Sequence, residues 1–188
     1  MLAAGSSSRL GRPKQLLPYH GDSLIAHAAD TAIESEAAPV VVVLGDNAKI
    51  ISKELDEKKL HVTYNDQWQE GMASSLRCGI STALKIAPDC DAVLLMVCDQ
   101  PFVDGELLNS LIRIQRDSGK RIAACQYGDT IGVPALFHRS LFDKIMQLQG
   151  DQGAKKIIRE HQDEVIILPF EKGAIDIDTE SDYKSLPS

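Results

Sequence analysis

Val40-Val-Val-Val-Leu44 and Ala92-Val-Leu-Leu-Met-Val97 are apolar at every position. A strand with one wet face alternates in polarity. Short unbroken runs like these belong to strands covered on both faces, as at the centre of a parallel sheet. Weaker β-rich runs lie at Leu60–Tyr64, Arg121–Gln126, Val133–Phe137 and Val165–Phe170, and Met1–Ala4 leads into a glycine. Helical patterns fill the gaps. Asp22 or Ser23 can cap a helix running to about Ser35. Asn47 begins one with Ile50, Ile51 and Leu55 spaced along it, and Ser74 or Ser75 opens one carrying Leu76, Ile80 and Leu84 on a single face. Asp104 starts a helix with Leu107, Leu108, Leu111 and Ile112. Ser140–Leu148, Gln152–Glu160 and a short segment from Thr179 complete the set. Strand–helix alternation of this kind builds βαβ units and a mostly parallel sheet, an α/β fold.

No repeat, low-complexity stretch or linker interrupts the 188 residues, so residues 1–188 read as a single domain. The four cysteines, Cys78, Cys90, Cys98 and Cys125, have neither C-x-x-C spacing nor neighbouring histidine pairs. That argues against a disulfide framework or a zinc site and for a cytoplasmic setting. No apolar run approaches the ~20 residues of a membrane span, and the N-terminus lacks the apolar stretch of a signal peptide. A net charge of −7 disfavours nucleic acid as a partner.

Against that acidic background the N-terminus is a positive island. In Met1-Leu-Ala-Ala-Gly-Ser-Ser-Ser-Arg-Leu-Gly-Arg-Pro-Lys14, three basic residues fall between positions 9 and 14, and no acidic residue precedes Asp22. Gly5 and Gly11 admit backbone conformations closed to other residues. Serine hydroxyls and backbone N–H groups can donate to phosphate, and Arg9, Arg12 and Lys14 supply charge. The spacing is neither that of a P-loop nor that of a Rossmann G-x-G-x-x-G. The strand before Gly5 has only Met1–Ala4 to draw on, where ~5–6 residues are usual, so either it is short or residues precede it.

Further stretches stand where α/β folds place ligands, after the carboxyl ends of strands. In Asn65–Leu76, Gly71 allows close backbone approach, while Ser74 and Ser75 stand at a helix start, a ready anion site. Cys98-Asp-Gln-Pro101 ends the most apolar strand, and Asp99 there suits a metal ligand, with Mg²⁺ held by carboxylates and substrate phosphates. In Ile175-Asp-Ile-Asp-Thr179, Asp176 and Asp178 share a face if extended. Either can supply a second carboxylate, with Thr179 as a helix cap. Gly132-Val-Pro134 and Gly150–Lys156 place glycines and polar groups in loops, the latter able to present Lys155 to a phosphate. Trp68 is a candidate lid residue. His20, His27, His61, His138 and His161 are scattered and read as structural or surface groups.

Taken together, Leu2-Ala-Ala-Gly5, Ser8-Arg9, Gly11 and Pro13-Lys14 resemble the signature of nucleotidyltransferases that activate sugars, terpenoid precursors and pterins. Glu70-Gly-Met-Ala-Ser-Ser-Leu76, Cys98-Asp-Gln-Pro101, Gly132-Val-Pro134, Gly150-Asp-Gln-Gly-Ala154 and Asp176-Ile-Asp-Thr179 narrow the resemblance to the molybdenum cofactor cytidylyltransferases, over nearly the whole chain. The resemblance implies a three-layer Rossmann-like fold with helices on both faces of a mostly parallel sheet. It implies transfer of CMP from CTP onto the phosphate of a molybdopterin-type cofactor, with release of pyrophosphate, Mg²⁺ as cofactor and a possible molybdoenzyme client. Leu2-Ala-Ala-Gly5, where related guanylyltransferases carry Leu-Ala-Gly-Gly, tilts the nucleotide towards CTP. On this reading Arg9, Lys14 and Asp99 are catalytic, and Asp99 with Asp178 holds the metal. Leu2, Ala3, Ala4, Gly5, Arg9, Lys14, Gly71, Ser74 and Ser75 bind the nucleotide, and Gly132, Pro134, Asp151, Gly153 and Lys155 face the acceptor. The alternatives are another NTP transferase, acting on methylerythritol phosphate or a sugar phosphate, and a non-catalytic carrier of a phosphorylated cofactor.

Overall fold

The computed structural model describes residues 1–186. Its first strand, β1 (Leu2–Ala3), has two residues and runs parallel between two others. β2 (Pro18–Tyr19) and β3 (Asp22–Ser23) form a small antiparallel hairpin that the sequence reading did not anticipate. On one side of β1, Leu2 and Ala3 pair with Val43 and Leu44 of β4 (Val41–Leu44), and β5 (His61–Tyr64) extends that edge in parallel. On the other side Leu2 donates to the carbonyl of Met96 at 2.9 Å and bridges Val97, which brings in β6 (Ala92–Leu95). Beyond β6 come β7 (Ile122–Tyr127) and β8 (Thr130–His138), a hairpin in which β8 lies between β6 and β7 and runs antiparallel to both. β9 (Val165–Pro169) closes the far edge parallel to β7. The spatial order is thus β5-β4-β1-β6-β8-β7-β9, a mostly parallel sheet with one reversed strand.

Of the two continuous apolar runs only the first does what its composition demands, since in β6 Leu95 is buried while Ala92, Val93 and Leu94 are partly exposed. All four β4 residues are buried. Val42 and Leu44 pack with Ile25, Ala28 and Ala29 of helix α1 (Leu24–Glu34), and with Ile51 at the end of the short α2 (Ala48–Ile51). Val43 points the other way, against Gly79 of α3 (Met72–Ile86). The same split divides β7: Ala123 and Cys125 meet Leu111 of α4 (Gly105–Ser118). Ile122 and Ala124 join Leu76 and Ile80 of α3, Phe142 and Ile145 of α5 (Phe142–Met146) and Ile157 and Ile158 of α6 (Ala154–Glu160). Helices α1, α2 and α4 therefore cover one face, and α3, α5 and α6 the other. A final helix, α7 (Glu180–Lys184), carries the Thr179–Asp182 capping box, with Thr179 as the expected cap. Asp104 likewise caps α4, accepting from Leu107, and of the two candidate caps for α1 Ser23 is the one used.

Several local expectations need correction. Helix α3 begins at Met72 with Gly71 as its cap residue, so Ser74 and Ser75 sit inside the first turn rather than before it. Gly132-Val-Pro134 is no loop. It lies within β8, where Cys125 pairs with Gly132 and Ala124 with Ala135, leaving Val133 and Pro134 as a bulge that spares a ladder position for the proline. Residues 175–178 form no strand but an irregular segment between a 3₁₀ turn and α7, so Asp176 and Asp178 do not share a strand face. Ile50, spaced as an inward residue, is 45% exposed because α2 lasts only one turn. An apolar cavity of about 300 Å³ is bounded by Val41, Val43, Val93, Leu95 and Ile80. Among the described residues no helix is long and apolar enough to cross a membrane.

Candidate active site

The carboxyl ends of β1 and β6 lie side by side, and the basic loop leaves from the first. Ser7 takes a positive φ of 53°, and its carbonyl receives the N–H groups of Leu10 and Gly11 at 3.0 and 3.2 Å. Gly11 sits at φ +73°, as expected for a glycine-dependent turn. Gly5 does not: its φ lies outside the left-handed region and the space where a Cβ would stand is open, so it serves by leaving room. What ties the loop down is Gln15, only 1% exposed, whose amide donates to the carbonyls of Ala3 at 2.9 Å and Gly5 at 3.0 Å. The Ser7 hydroxyl adds a contact to Gln15 and accepts from the Lys14 N–H. A buried amide bonded at both ends of a loop fixes its path, because leaving those groups unpaired is costly. Its sequence signal is a glutamine placed directly before the apolar Leu16-Leu17.

Lys14 then projects from a 3₁₀ turn (Lys14–Leu16) to the end of β6. Its Nζ lies 2.5 Å from Asp99 Oδ2 and 2.9 Å from Asp178 Oδ1, and Arg9 reaches Asp178 Oδ2 at 2.7 Å. Burial works against the Lys14 charge, yet Asp99, with Asp178, outweighs it and raises the ammonium above its ordinary range. Burial likewise pulls Asp178 upward, but Lys14 and Arg9 prevail and lower it. Asp178 is positioned from both sides: the N–H of the fully buried Ile177 donates to the Asp99 carbonyl at 2.9 Å, and the next residue is the Thr179 cap. Asp176 is pushed up by burial first and then by the charges of Asp99 and Asp178. Cys98, whose thiol burial drives up to about 12, is inert beside them.

The donor set fits a divalent cation only in part. Asp99 Oδ1 is buried with no hydrogen-bond partner, the kind of orphaned oxygen a cation would satisfy. Yet among the described residues no three His, Cys, Asp or Glu side chains gather as a metal site. Two carboxylates with substrate phosphates completing the shell is how Mg²⁺ is commonly held.

Across the cleft the arrangement depends on close backbone approach. Gly71 has φ +107°, and a Cβ on it would stand 2.5 Å from Asp151 Oδ1 and from the Gly150 carbonyl carbon. Ala73 donates to the Gly150 carbonyl at 3.0 Å, and Gly153 packs under Met72. The Gly150–Lys155 segment is thereby locked onto the start of α3. Gly132, next to the β8 bulge, faces Tyr127 Oη and Lys155 Cε, and the Lys155 ammonium lies 6.0 Å from the centre of the Tyr127 ring. Gly71, Gly132, Asp151, Gly153 and Lys155 thus come together. Ser74 and Ser75 are buried beneath them, both accepting from the Asn65 amide at 2.8 and 3.0 Å, while Ser74 donates to the Gly71 carbonyl. Ser74 has no hydrogen left for a ligand, and its contribution is to hold Gly71. Asn65 was missed because a lone asparagine after a strand reads as a turn former. Trp68 leans on Gly45 beside the Ala4 carbonyl, at the rim near β1.

The geometry thus gathers a basic loop, two carboxylates bridged by Lys14, and an exposed ammonium at Lys155 on the opposite side. The chain is similar to nicotine blue oxidoreductase of Paenarthrobacter nicotinovorans, with 30% identity over 167 residues, covering 85% of this chain and 80% of that protein. Among solved structures it is similar to the Rv0371c homologue from Mycobacterium sp. strain JC1 (TM-score 0.83, 30% identity, 97% of this chain and 90% of that one). It is also similar to Rv0371c of Mycobacterium tuberculosis H37Rv in complex with manganese (TM-score 0.79, 27% identity, 97% and 93%). The MobA-like NTP transferase domain matches residues 1–165, and the chain belongs to that nucleotidyltransferase family.

Proposed function

We propose that this protein transfers CMP from CTP to the terminal phosphate of a molybdopterin-type cofactor and releases pyrophosphate. The observation that carries the reading is the convergence of Lys14, Asp99 and Asp178 at the carboxyl edge of β1 and β6. An acceptor phosphate oxygen attacks the α-phosphorus of the nucleotide, and the bond to pyrophosphate breaks. Nucleophile and electrophile are both anionic, so positioning and charge stabilisation dominate over acid–base work. Lys14 and Arg9 grip the triphosphate, Lys14 closest to the α-phosphate. Ala4 and Gly5 present backbone to the nucleotide with Leu2 and Ala3 fixed in the sheet behind them, Gly71 keeps the cleft wall close, and Ser75 stands behind it. A divalent cation on Asp99 and Asp178, Mg²⁺ in our reading, would neutralise nucleotide oxygens and the leaving pyrophosphate. The manganese complex of Rv0371c supports use of a divalent metal. Lys155 offers its charge to the acceptor's phosphate, and Asp151, Gly153, Gly132 and Pro134 belong to the side that faces the acceptor. CTP is preferred on the strength of Leu2-Ala-Ala-Gly5, and a cytoplasmic setting with delivery to a molybdoenzyme client completes the proposal.

The similarity to a protein named as an oxidoreductase motivates a second reading, redox turnover of a related substrate. One preparation tests both. Each NTP is offered with Mg²⁺ and the molybdenum-loaded pterin and pyrophosphate is measured, while a parallel sample is assayed for redox turnover of nicotine blue. Pyrophosphate release with CTP is the expected result. No release with any NTP, or redox turnover alone, would overturn the proposal.

A further inference from the structure

Lys14 sits between the two carboxylates that would hold a metal. Its ammonium touches one oxygen of Asp99 at 2.5 Å and one of Asp178 at 2.9 Å, and its side chain is only 13% exposed. We propose that Lys14 is the resident cation of the Asp99–Asp178 pair, and that it must move from these carboxylates to the nucleotide's phosphates before a divalent cation can settle between them. The inference rests on the transferase reading above and specifies how its two ligands depend on one another.

Three observations support it. A Mg²⁺ ion needs its oxygen ligands at about 2.0–2.1 Å, so an ion bound to both carboxylates would claim the volume Lys14 Nζ holds. Two cations cannot share it, because charges a few ångströms apart in a half-buried site repel strongly. Without nucleotide, a displaced Lys14 would be left buried without its partners, and the metal would find two protein carboxylates and no third, since no larger cluster exists among the described residues. Finally, Lys14 is an imperfect occupant: it engages Asp99 through Oδ2 alone and leaves buried Oδ1 without a partner. A triphosphate removes both obstacles, offering Lys14 new oxygens and the metal its missing ligands. Lys14's stem is a flexible chain, so the exchange needs only rotation of its outer bonds.

Coupling of this kind is reciprocal and falls in the range of roughly 5–150-fold. Mn²⁺ binding to the full chain can be followed by water-proton relaxation enhancement, which reports ions held on the protein rather than on free nucleotide. Wild-type protein should bind Mn²⁺ weakly alone and at least about tenfold more tightly with saturating CTP. Lys14→Met, close in length but neutral, should tighten Mn²⁺ binding in the absence of nucleotide by a similar factor. Lys14→Gln serves as the second variant, with circular dichroism used to verify folding. Asp99→Asn should abolish binding in every background. If neither folded Lys14 variant binds Mn²⁺ more tightly than wild type without CTP, the exchange is wrong while the transferase reading stands. If wild-type protein with CTP takes up no Mn²⁺, or Asp99→Asn leaves uptake unchanged, the transferase site assignment fails and the exchange falls with it.

Discussion

Two lysines face the same cleft in opposite electrostatic states. Lys14 is half-buried and compensated by two carboxylates, with Arg9 sharing one of them. Lys155 is exposed, makes no ion pair among the described residues, and only overhangs the Tyr127 ring. The first side is set up to bind cation and anion together, since the carboxylates need positive charge and the lysine needs negative charge. The second offers uncompensated positive charge to a single anionic group. Such asymmetry suits a reaction in which one substrate arrives as a metal–polyphosphate and the other as a simple phosphate.

That contrast can be broken from the compensated side first. Lys14→Ala should lower turnover on the order of 10²–10³-fold, the scale of losing one preorganised transition-state contact, as read by steady-state pyrophosphate release. A loss below about tenfold would remove Lys14 from the reacting phosphate. Asp99→Asn keeps shape but halves the carboxylate pair. Calorimetric titration should show Mg²⁺-dependent CTP binding lost, with circular dichroism confirming the fold and the thermal midpoint lowered because part-buried Lys14 loses its nearest carboxylate. On the uncompensated side Lys155→Ala should raise the acceptor KM by roughly tenfold, the worth of one charge-assisted bond, and leave CTP affinity unchanged. An equal effect on CTP would merge the two sides into one. Gly71→Ala meets a positive φ, the Gly150 backbone and the Asp151 carboxylate. A cost of about 1–3 kcal/mol in denaturant unfolding is expected, with the acceptor KM rising as the Gly150–Lys155 segment shifts.

The smallest effect concerns acid. Asp178 is held below its ordinary range in the folded protein. Its contribution to stability is therefore fully present above the unfolded aspartate value of about 4 and is lost as pH falls through the lower folded value. Lys14 is raised, so its contribution is present below the ordinary lysine range and is lost only at higher alkaline pH. Acid titration of unfolding should show Asp178→Asn differing from wild type near neutrality, the difference shrinking as the pH drops below about 4. A gap unchanged throughout the titration would mean the Asp178 charge is not what stabilises this corner.

How much could be read beforehand depends on the range of the forces involved. The apolar runs at Val40–Leu44 and Ala92–Val97 both announced strands, and in the first burial on both faces leaves no polar position, while β6 stays partly exposed up to Leu95. The direction of β8 left no such mark, since pairing sense is decided by which strands meet, not by which residues they contain. Gly132-Val-Pro134 looked like a loop because glycine and proline punctuate chains locally, and only the β7–β8 register reveals a bulge. Ser74 and Ser75 had the composition of an anion site, but burial behind Gly71 gives their hydroxyls to Asn65 instead.

The sequence alone therefore determined the α/β alternation, the positive N-terminal loop and the identity of the charged groups, because periodicity, composition and short motifs are local properties. The tertiary structure decided which of those groups meet. Lys14 reaches carboxylates 85 and 164 positions along the chain, and those partners are chosen by where β1, β6 and the pre-α7 segment end in space. Gln15 and Asn65 acquire their roles the same way, since a buried amide is defined by the backbone carbonyls and hydroxyls that the fold delivers to it.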